Sequence, residues 1–156
     1  IMGDTVNTAS RLEGANKVTK SDILISESVA EQLPESFILK EMATIQVKGK
    51  EQPTHVFEPI YMISPRRYAR GIKMKTSGKF DQDISFGSTR EEARSESNCF
   101  ALAQQHFRNG EFQKTIDALE PYKTSQTAQV IIERALEMLA NPPGEDWDGV
   151  ICLTSK

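Results

Sequence analysis

The sequence has few cysteines and histidines, no excess of positive charge and no long apolar run. Its two cysteines, Cys99 and Cys152, lie far apart without metal-ligand spacing, which excludes a disulfide framework and predicts free thiols in a reducing cytoplasm. The formal net charge of −3 shows no excess of positive charge of the kind that binds nucleic acids or membrane surfaces, so no nucleic-acid partner is expected. No apolar run approaches the ~20 residues of a membrane span, and no secretory signal pattern is present. The two histidines, His55 and His106, fit no catalytic or ligand pattern.

The most informative segment is residues 3–13, which read Gly-Asp-Thr-Val-Asn-Thr-Ala-Ser-Arg-Leu-Glu. Asp4 or Thr5 can cap a helix here by accepting a hydrogen bond from the first-turn amides. At about 100° per residue, Asn7 and Arg11 share one helix face. A carboxamide and a guanidinium can then address one target, and the planar guanidinium suits phosphate oxygens. From the Asn–Arg spacing alone, a solvated polar face is the stronger interpretation.

As a whole, this string resembles the signature of the class III nucleotidyl cyclases, the adenylate and guanylate cyclases. The resemblance implies that Asn7 orients the ribose of the substrate. It also implies that Arg11 stabilises the negative charge that builds on the α-phosphate as the 3′ oxygen attacks. These roles suit phosphoryl transfer, in which the protein mostly positions groups and supplies charge to a loose transition state. Arg11 and Asn7 are therefore the catalytic candidates, and Asn7 is also a substrate-binding candidate.

The segments that follow can be assigned from their apolar patterns. Residues 22–26 are predicted as a short buried strand. Ser28 and Glu31 have the spacing of a capping box, which predicts a brief helix after that strand. Residues 37–47 and 54–60 are predicted as extended segments that form a hairpin.

The turn between the two extended segments is basic and reads Val-Lys-Gly-Lys over residues 47–50. Taken alone, such a turn is usually exposed and has no binding role. Its place behind the signature helix is similar to the phosphate-binding turn of the cyclases. The resemblance implies that Lys48 grips the nucleotide triphosphate, while Lys50 either shares this role or is solvated.

The resemblance covers residues 1–63 and implies an α+β fold, the C-terminal half of an α/β sandwich with a ferredoxin-like cyclase core. Because the chain begins with Ile1 rather than Met, in mid-motif, we expect a fragment. The family's metal-binding aspartates belong to the upstream half, so two Mg or Mn ions are expected with ligands outside this chain. Any membrane anchor of the full-length protein is likewise expected upstream. ATP is the expected substrate because most bacterial-looking members use it, although no residue here decides between ATP and GTP.

Beyond residue 63 the composition changes twice. Residues 64–96 begin with a basic stretch and continue with Gly, Ser and Asp, which predicts a mobile linker. Residues 97–156 carry helical periodicity and resemble a tetratricopeptide helix pair followed by a third helix, a small all-α, helical-repeat-like segment. Only about one and a half repeats are present, so this segment is expected to be capped, to dimerise or to pack on something else. Trp147 in the tail is predicted to form a packed cap.

Two functions are compatible with these patterns. The first is part of an adenylate cyclase that forms cyclic AMP and pyrophosphate from ATP. The resemblance implies a homodimer with the site at its interface, where one subunit supplies Asn7, Arg11 and Lys48 and the other the metal ligands. The alternative is an inactive cyclase-like regulatory module whose helical extension binds a protein partner. Under either interpretation the fragment alone is expected to be inactive.

Overall fold

Two long antiparallel strands form the centre of the fold. In the computed structural model, which describes residues 14–16, 18–47, 52–63, 84–85 and 89–153, β2 spans Phe37–Val47 and β3 spans Thr54–Met62. Their register runs from Phe37 opposite Met62 to Ile45 opposite Thr54. The hairpin expected from the sequence is therefore confirmed. Its β-branched and aromatic content suits a pleated surface that is buried on one side.

Three short strands complete a mixed sheet around this hairpin. β1 (Ile25–Ser26) and β4 (Ile84–Ser85) each pair antiparallel with β3, whereas β5 (Ile151–Leu153) pairs parallel with β2. The order is β1–β3–β2–β5, with β4 beside β3. Strands and helices occur in one mixed α+β arrangement, which is compatible with part of a cyclase core.

The segment after β1 differs in detail from the prediction. Only Ile25 and Ser26 of the segment 22–26 are paired as a strand, and the helix α1 (Glu27–Ala30) starts directly after them. Ser26 rather than Ser28 is the N-cap residue, and it makes no side-chain capping bond. The capping box predicted at Ser28 and Glu31 is therefore wrong, because the helix begins before Ser28.

Three longer helices follow, namely α2 (Arg90–Arg108), α3 (Phe112–Leu119) and α4 (Gln126–Ala140), with a 3₁₀ turn at Glu120–Tyr122. Helix α2 starts at Arg90, so residues 90–96 of the predicted linker are helical. In the part of the chain that the structure describes, no helix combines the length and apolar character needed to cross a membrane.

Local interactions set both ends of α2. The hydroxyl of Thr89 accepts from the Glu92 amide, and the Glu92 carboxylate accepts from the Thr89 amide. Hydrogen bonding to the backbone amide and, to a lesser extent, the side chain of Thr89 lowers the pKa of the Glu92 carboxyl. Gly110, with φ of +74°, turns the chain towards α3, as the Asn-Gly break in the sequence predicts.

Helix α2 packs across the face of β2, and this contact creates the main core. The aromatic ring of Phe100 is fully buried, and Met42 of β2 and Val56 of β3 are 1% and 0% exposed. Leu119 and Ile131 extend the same core into α3 and α4. Because the helices cover the inner side of the hairpin, the two regions share one core.

Side-chain hydrogen bonds from α2 reach the backbone of β2. Met42 lies at a bulge, since its neighbours Glu41 and Ala43 pair with the consecutive residues Phe57 and Val56. The buried amide of Gln104 donates to the Met42 carbonyl at 2.7 Å. A bulge leaves polar backbone groups to be satisfied outside the ladder, and α2 provides that partner.

A buried lysine adds a polar link between the hairpin and the helices. The Lys40 side chain is 5% exposed, and its Nζ lies 2.6 Å from Glu58 Oε2 and 3.0 Å from Glu96 Oε1. It also donates to Thr127 Oγ1 at 3.2 Å and lies 4.8 Å from the ring centroid of Phe100. The contact with Glu58 is an ion pair rather than a well-angled hydrogen bond. The cluster joins β2, β3, α2 and α4.

Truncation of the central aromatic tests whether hairpin and helices unfold together. We expect Phe100→Ala to lower the free energy of unfolding by about 3–5 kcal/mol, because a fully buried ring leaves a cavity. The measurement is denaturant unfolding followed by Trp147 fluorescence and by far-UV circular dichroism. Leu102→Ala, on the exposed side of the same helix, should change the free energy by no more than about 0.5 kcal/mol. Separate transitions for the two probes would contradict a shared core.

Removal of the buried ammonium tests the ion cluster. We expect Lys40→Met to destabilise the fold by about 3 kcal/mol, because it leaves the carboxylates of Glu58 and Glu96 largely buried without their cation. Lys123→Met removes a lysine that is 61% exposed and paired with Glu120, and its effect should stay below about 1 kcal/mol. The measurement is chemical denaturation at neutral pH, and equal effects for both variants would rule out a buried ionic link.

Candidate functional site

The three predicted site residues, Asn7, Arg11 and Lys48, lie outside the described residues, as does Lys50. The structure instead describes the segments on either side of them. Residues 14–16 and 18–19 are helical and follow Arg11 in the sequence. Strand β2 ends at Val47 and β3 begins at Thr54, so the hairpin brackets Lys48.

The helical segment after Arg11 is packed into the main core. Ala15 is fully buried and belongs to the same apolar cluster as Met42 and Val56 of the hairpin. The hydroxyl of Thr19 donates to the Ala15 carbonyl at 3.0 Å. Lys20 adopts φ of 55°, and its amide donates to the Asn16 carbonyl at 2.9 Å, which ends the helix. The segments that continue from Arg11 and lead into Lys48 thus share one core.

A polar group of side chains lies on the hairpin between its middle and the predicted turn. Nδ1 of His55 is 3.3 Å from both Thr44 Oγ1 and Glu41 Oε1. The same Glu41 oxygen accepts a hydrogen bond from the Arg108 guanidinium at the end of α2. These contacts tie the C-terminal end of α2 to the hairpin.

A cleft of about 400 Å³ opens between the cyclase-like segment and the helices. Its charged lining comprises two lysines and three carboxylates, namely Lys20, Asp22, Lys40, Glu58 and Glu96. Lys40 is already neutralised by Glu58 and Glu96, as described above. The described residues of its lining offer charged and hydroxyl groups, but among them no nucleophile is placed beside a base.

Sequence reasoning missed this cluster because its members are distant along the chain. Lys40 and Glu96 are 56 residues apart, and Lys40 and Thr127 are 87 apart. Neither spacing produces a local pattern. The one local signal is that Lys40 occupies a position between the apolar residues Ile38 and Met42 on one face of the predicted strand. Among the described residues, no group of three or more His, Cys, Asp or Glu side chains is placed to hold a metal ion.

Comparison with known proteins identifies the N-terminal part of the chain. The family model of the adenylate and guanylate cyclase catalytic domain matches residues 1–59. An adenylate cyclase of Anabaena cylindrica is 44% identical over 61 residues, which are 37% of this chain and 12% of that protein. Adenylate cyclase 1 of Rhizobium meliloti (strain 1021) is 36% identical over 62 residues, 40% of this chain and 9% of that protein. No solved structure matches significantly.

The matched range includes Asn7, Arg11 and Lys48 and ends within β3. The matched part of the chain spans only about a tenth of the length of either relative. The helical region after residue 89 lies outside the match, so its tetratricopeptide resemblance stays a prediction. The family match and the two relatives therefore support a class III nucleotidyl cyclase domain over residues 1–59.

Proposed function

We propose that this chain supplies part of the active site of an adenylate cyclase, which converts ATP into 3′,5′-cyclic AMP and pyrophosphate. The observation that carries the proposal is the family match over residues 1–59, which spans all three predicted site residues. Both relatives described above bear the name adenylate cyclase, which favours ATP over GTP as the substrate.

In the proposed reaction, the ribose 3′ oxygen attacks the α-phosphorus and the hydroxyl proton is released. The bond from the α-phosphorus to the bridging oxygen breaks, and pyrophosphate leaves. Arg11 stabilises the charge that develops on the α-phosphate oxygens, and Asn7 holds the ribose so that the 3′ oxygen is aligned. A permanently charged, planar guanidinium suits the first role, because it donates two parallel hydrogen bonds to phosphate oxygens.

Lys48 has a different role in this proposal, because it binds the phosphates of ATP in the ground state as well as in the transition state. This role is supported by the position of Lys48 directly after the end of β2. That strand pairs with β3 as far as Ile45, and Ile45 belongs to the same core as Phe100 of α2. A lysine that follows a rigid strand loses less freedom when it binds than one in a long loop.

The rest of the site is proposed to come from outside this chain. Two Mg or Mn ions would be held by carboxylates of another part of the domain, and when bound they would neutralise phosphate charge. We propose a homodimer in which the partner subunit provides that half of each site. Free thiols at Cys99 and Cys152 are compatible with a reducing cytoplasm. Residues 97–156, whose helices share a core with the hairpin, are proposed as the part of the chain that binds a protein partner.

Substitution of the arginine tests its proposed role in the transition state. We expect Arg11→Ala in the intact protein to lower kcat by about 10²–10³, the usual loss when one preorganised donor is removed. The measurement is steady-state formation of cyclic AMP, with circular dichroism to check folding. Arg94→Ala, at an exposed position on α2, should leave kcat unchanged. A near wild-type rate for Arg11→Ala would overturn the role assigned to Arg11, whereas an intact wild-type protein that forms no cyclic AMP would favour the inactive, regulatory module.

Substitution of the lysine tests ground-state binding. We expect Lys48→Ala to raise the KM for ATP roughly ten- to hundredfold, because it removes a charged hydrogen-bond donor from the phosphates. The change in kcat should be smaller than that in Arg11→Ala. Lys114→Ala, whose side chain is 61% exposed on α3, serves as the matched control. If both lysine variants bind ATP equally well, Lys48 has no phosphate-binding role.

A further inference from the structure

The C-terminal strand β5 lies against the end of β2 that leads into Lys48. Its three residues pair in parallel with Ile45, Gln46 and Val47, so that Leu153 lies opposite Val47. The register between β2 and β3 ends earlier, at Ile45 and Thr54. Within the described residues, β5 is therefore the strand that continues the ladder to the residue before Lys48.

The segment before β5 is anchored on the helices. Trp147 packs edge-on against Phe107 and Phe112, with ring centroids 5.6 Å and 5.8 Å away. Its indole N–H donates to the Phe107 carbonyl at 3.1 Å. The Val150 amide donates to the Asp148 carboxylate at 2.9 Å, which shapes the turn into the strand. Aromatic packing and a satisfied indole fix the starting point of β5.

Gly149 allows the chain to pass between this anchor and the sheet. Its φ is +75°, and a Cβ at this position would lie 2.7 Å from both Cα and Cγ of Arg108. Any other residue would meet the backbone of α2 and an unfavourable φ at once. Arg108 is itself bonded to Glu41 of β2. The close packing of Gly149 on Arg108, which is bonded to the hairpin, thus places β5 next to the hairpin.

We propose that the segment from Trp147 to Leu153 is a positioning element for the predicted phosphate-binding turn. It holds the backbone of Gln46 and Val47, and so restricts the freedom of Lys48 before ATP binds. The inference rests on the proposed function, since that function gives Lys48 its role. Binding costs less entropy when the backbone that leads to the binding residue is already fixed. The element acts on ATP binding rather than on the chemical step.

Substitution of the glycine tests this inference in the intact protein. We expect Gly149→Ala to raise the KM for ATP about two- to tenfold, the range for ordering one long side chain, with kcat within about twofold of wild type. Gly144→Ala is the matched control, because a Cβ there meets nothing within 4 Å, and it should leave both constants unchanged. A wild-type KM for Gly149→Ala, or an equal loss in kcat, would overturn the inference.

Combination with the lysine variant separates this inference from the proposed function. If Lys48→Ala raises KM, the Gly149→Ala change should add little in the double variant, because the residue that it positions is gone. Fully additive effects would contradict positioning through Lys48. If Lys48→Ala leaves KM unchanged, the phosphate-binding role itself fails. If only Gly149→Ala leaves KM unchanged, the inference alone fails.

A reversible cross-link guards against simple unfolding of the glycine variant. Gln46 and Cys152 are register partners, and neighbouring strands lie about 4.8 Å apart, within disulfide range. Gln46→Cys should therefore form a disulfide with Cys152 on mild oxidation. In the Gly149→Ala background, oxidation should return KM towards its wild-type value, and reduction should raise it again. Failure of the disulfide to form, or a KM insensitive to it, would count against the proposal.

Discussion

The packing of helix α2 on strand β2 is the interaction on which the remaining contacts depend. It buries the ring of Phe100 against the inner side of the hairpin and brings Gln104 to the bulged carbonyl of Met42. Helices α3 and α4 complete the same core, and Ala15 enters it from the segment that follows Arg11. A two-stranded hairpin is marginal by itself in water, so the hairpin that leads into Lys48 depends on the helices for its stability.

Apolar burial and the ion cluster at Lys40 have different consequences for this interface. Burial of apolar surface is non-directional and supplies most of the favourable free energy. A buried ion pair contributes little net stability relative to apolar residues of the same size, but its disruption is costly. Lys40 donates directional hydrogen bonds to Glu96 and Thr127 and pairs with the charge of Glu58, so that its contacts come from three elements. These contacts therefore determine the orientation of the helices on the sheet more than they contribute to the free energy of folding.

The sequence predicts the elements better than it predicts their contacts. Apolar alternation identifies the hairpin, and helical periodicity with the Asn-Gly break identifies α2 and α3, because both patterns are local. The start of α2 can also be predicted from the sequence, since Thr89 and Glu92 have the spacing of a capping box. Strand β5 has no such signal, because three residues pair with a strand about a hundred positions away. The resemblance to the cyclases predicts the roles of Asn7, Arg11 and Lys48. It predicts nothing about the helices, which lie after the matched region.

The helical region is thus part of the same folded unit as the cyclase hairpin and not an independent attachment to it. Native-state hydrogen exchange of the backbone amides measures this most directly, because it gives a local free energy of opening for each residue. The account predicts that core amides of β2, such as Ala43, and of α2, such as Ala103, exchange through one opening with the same free energy as global unfolding. A much lower opening free energy for the hairpin than for the helices would contradict it.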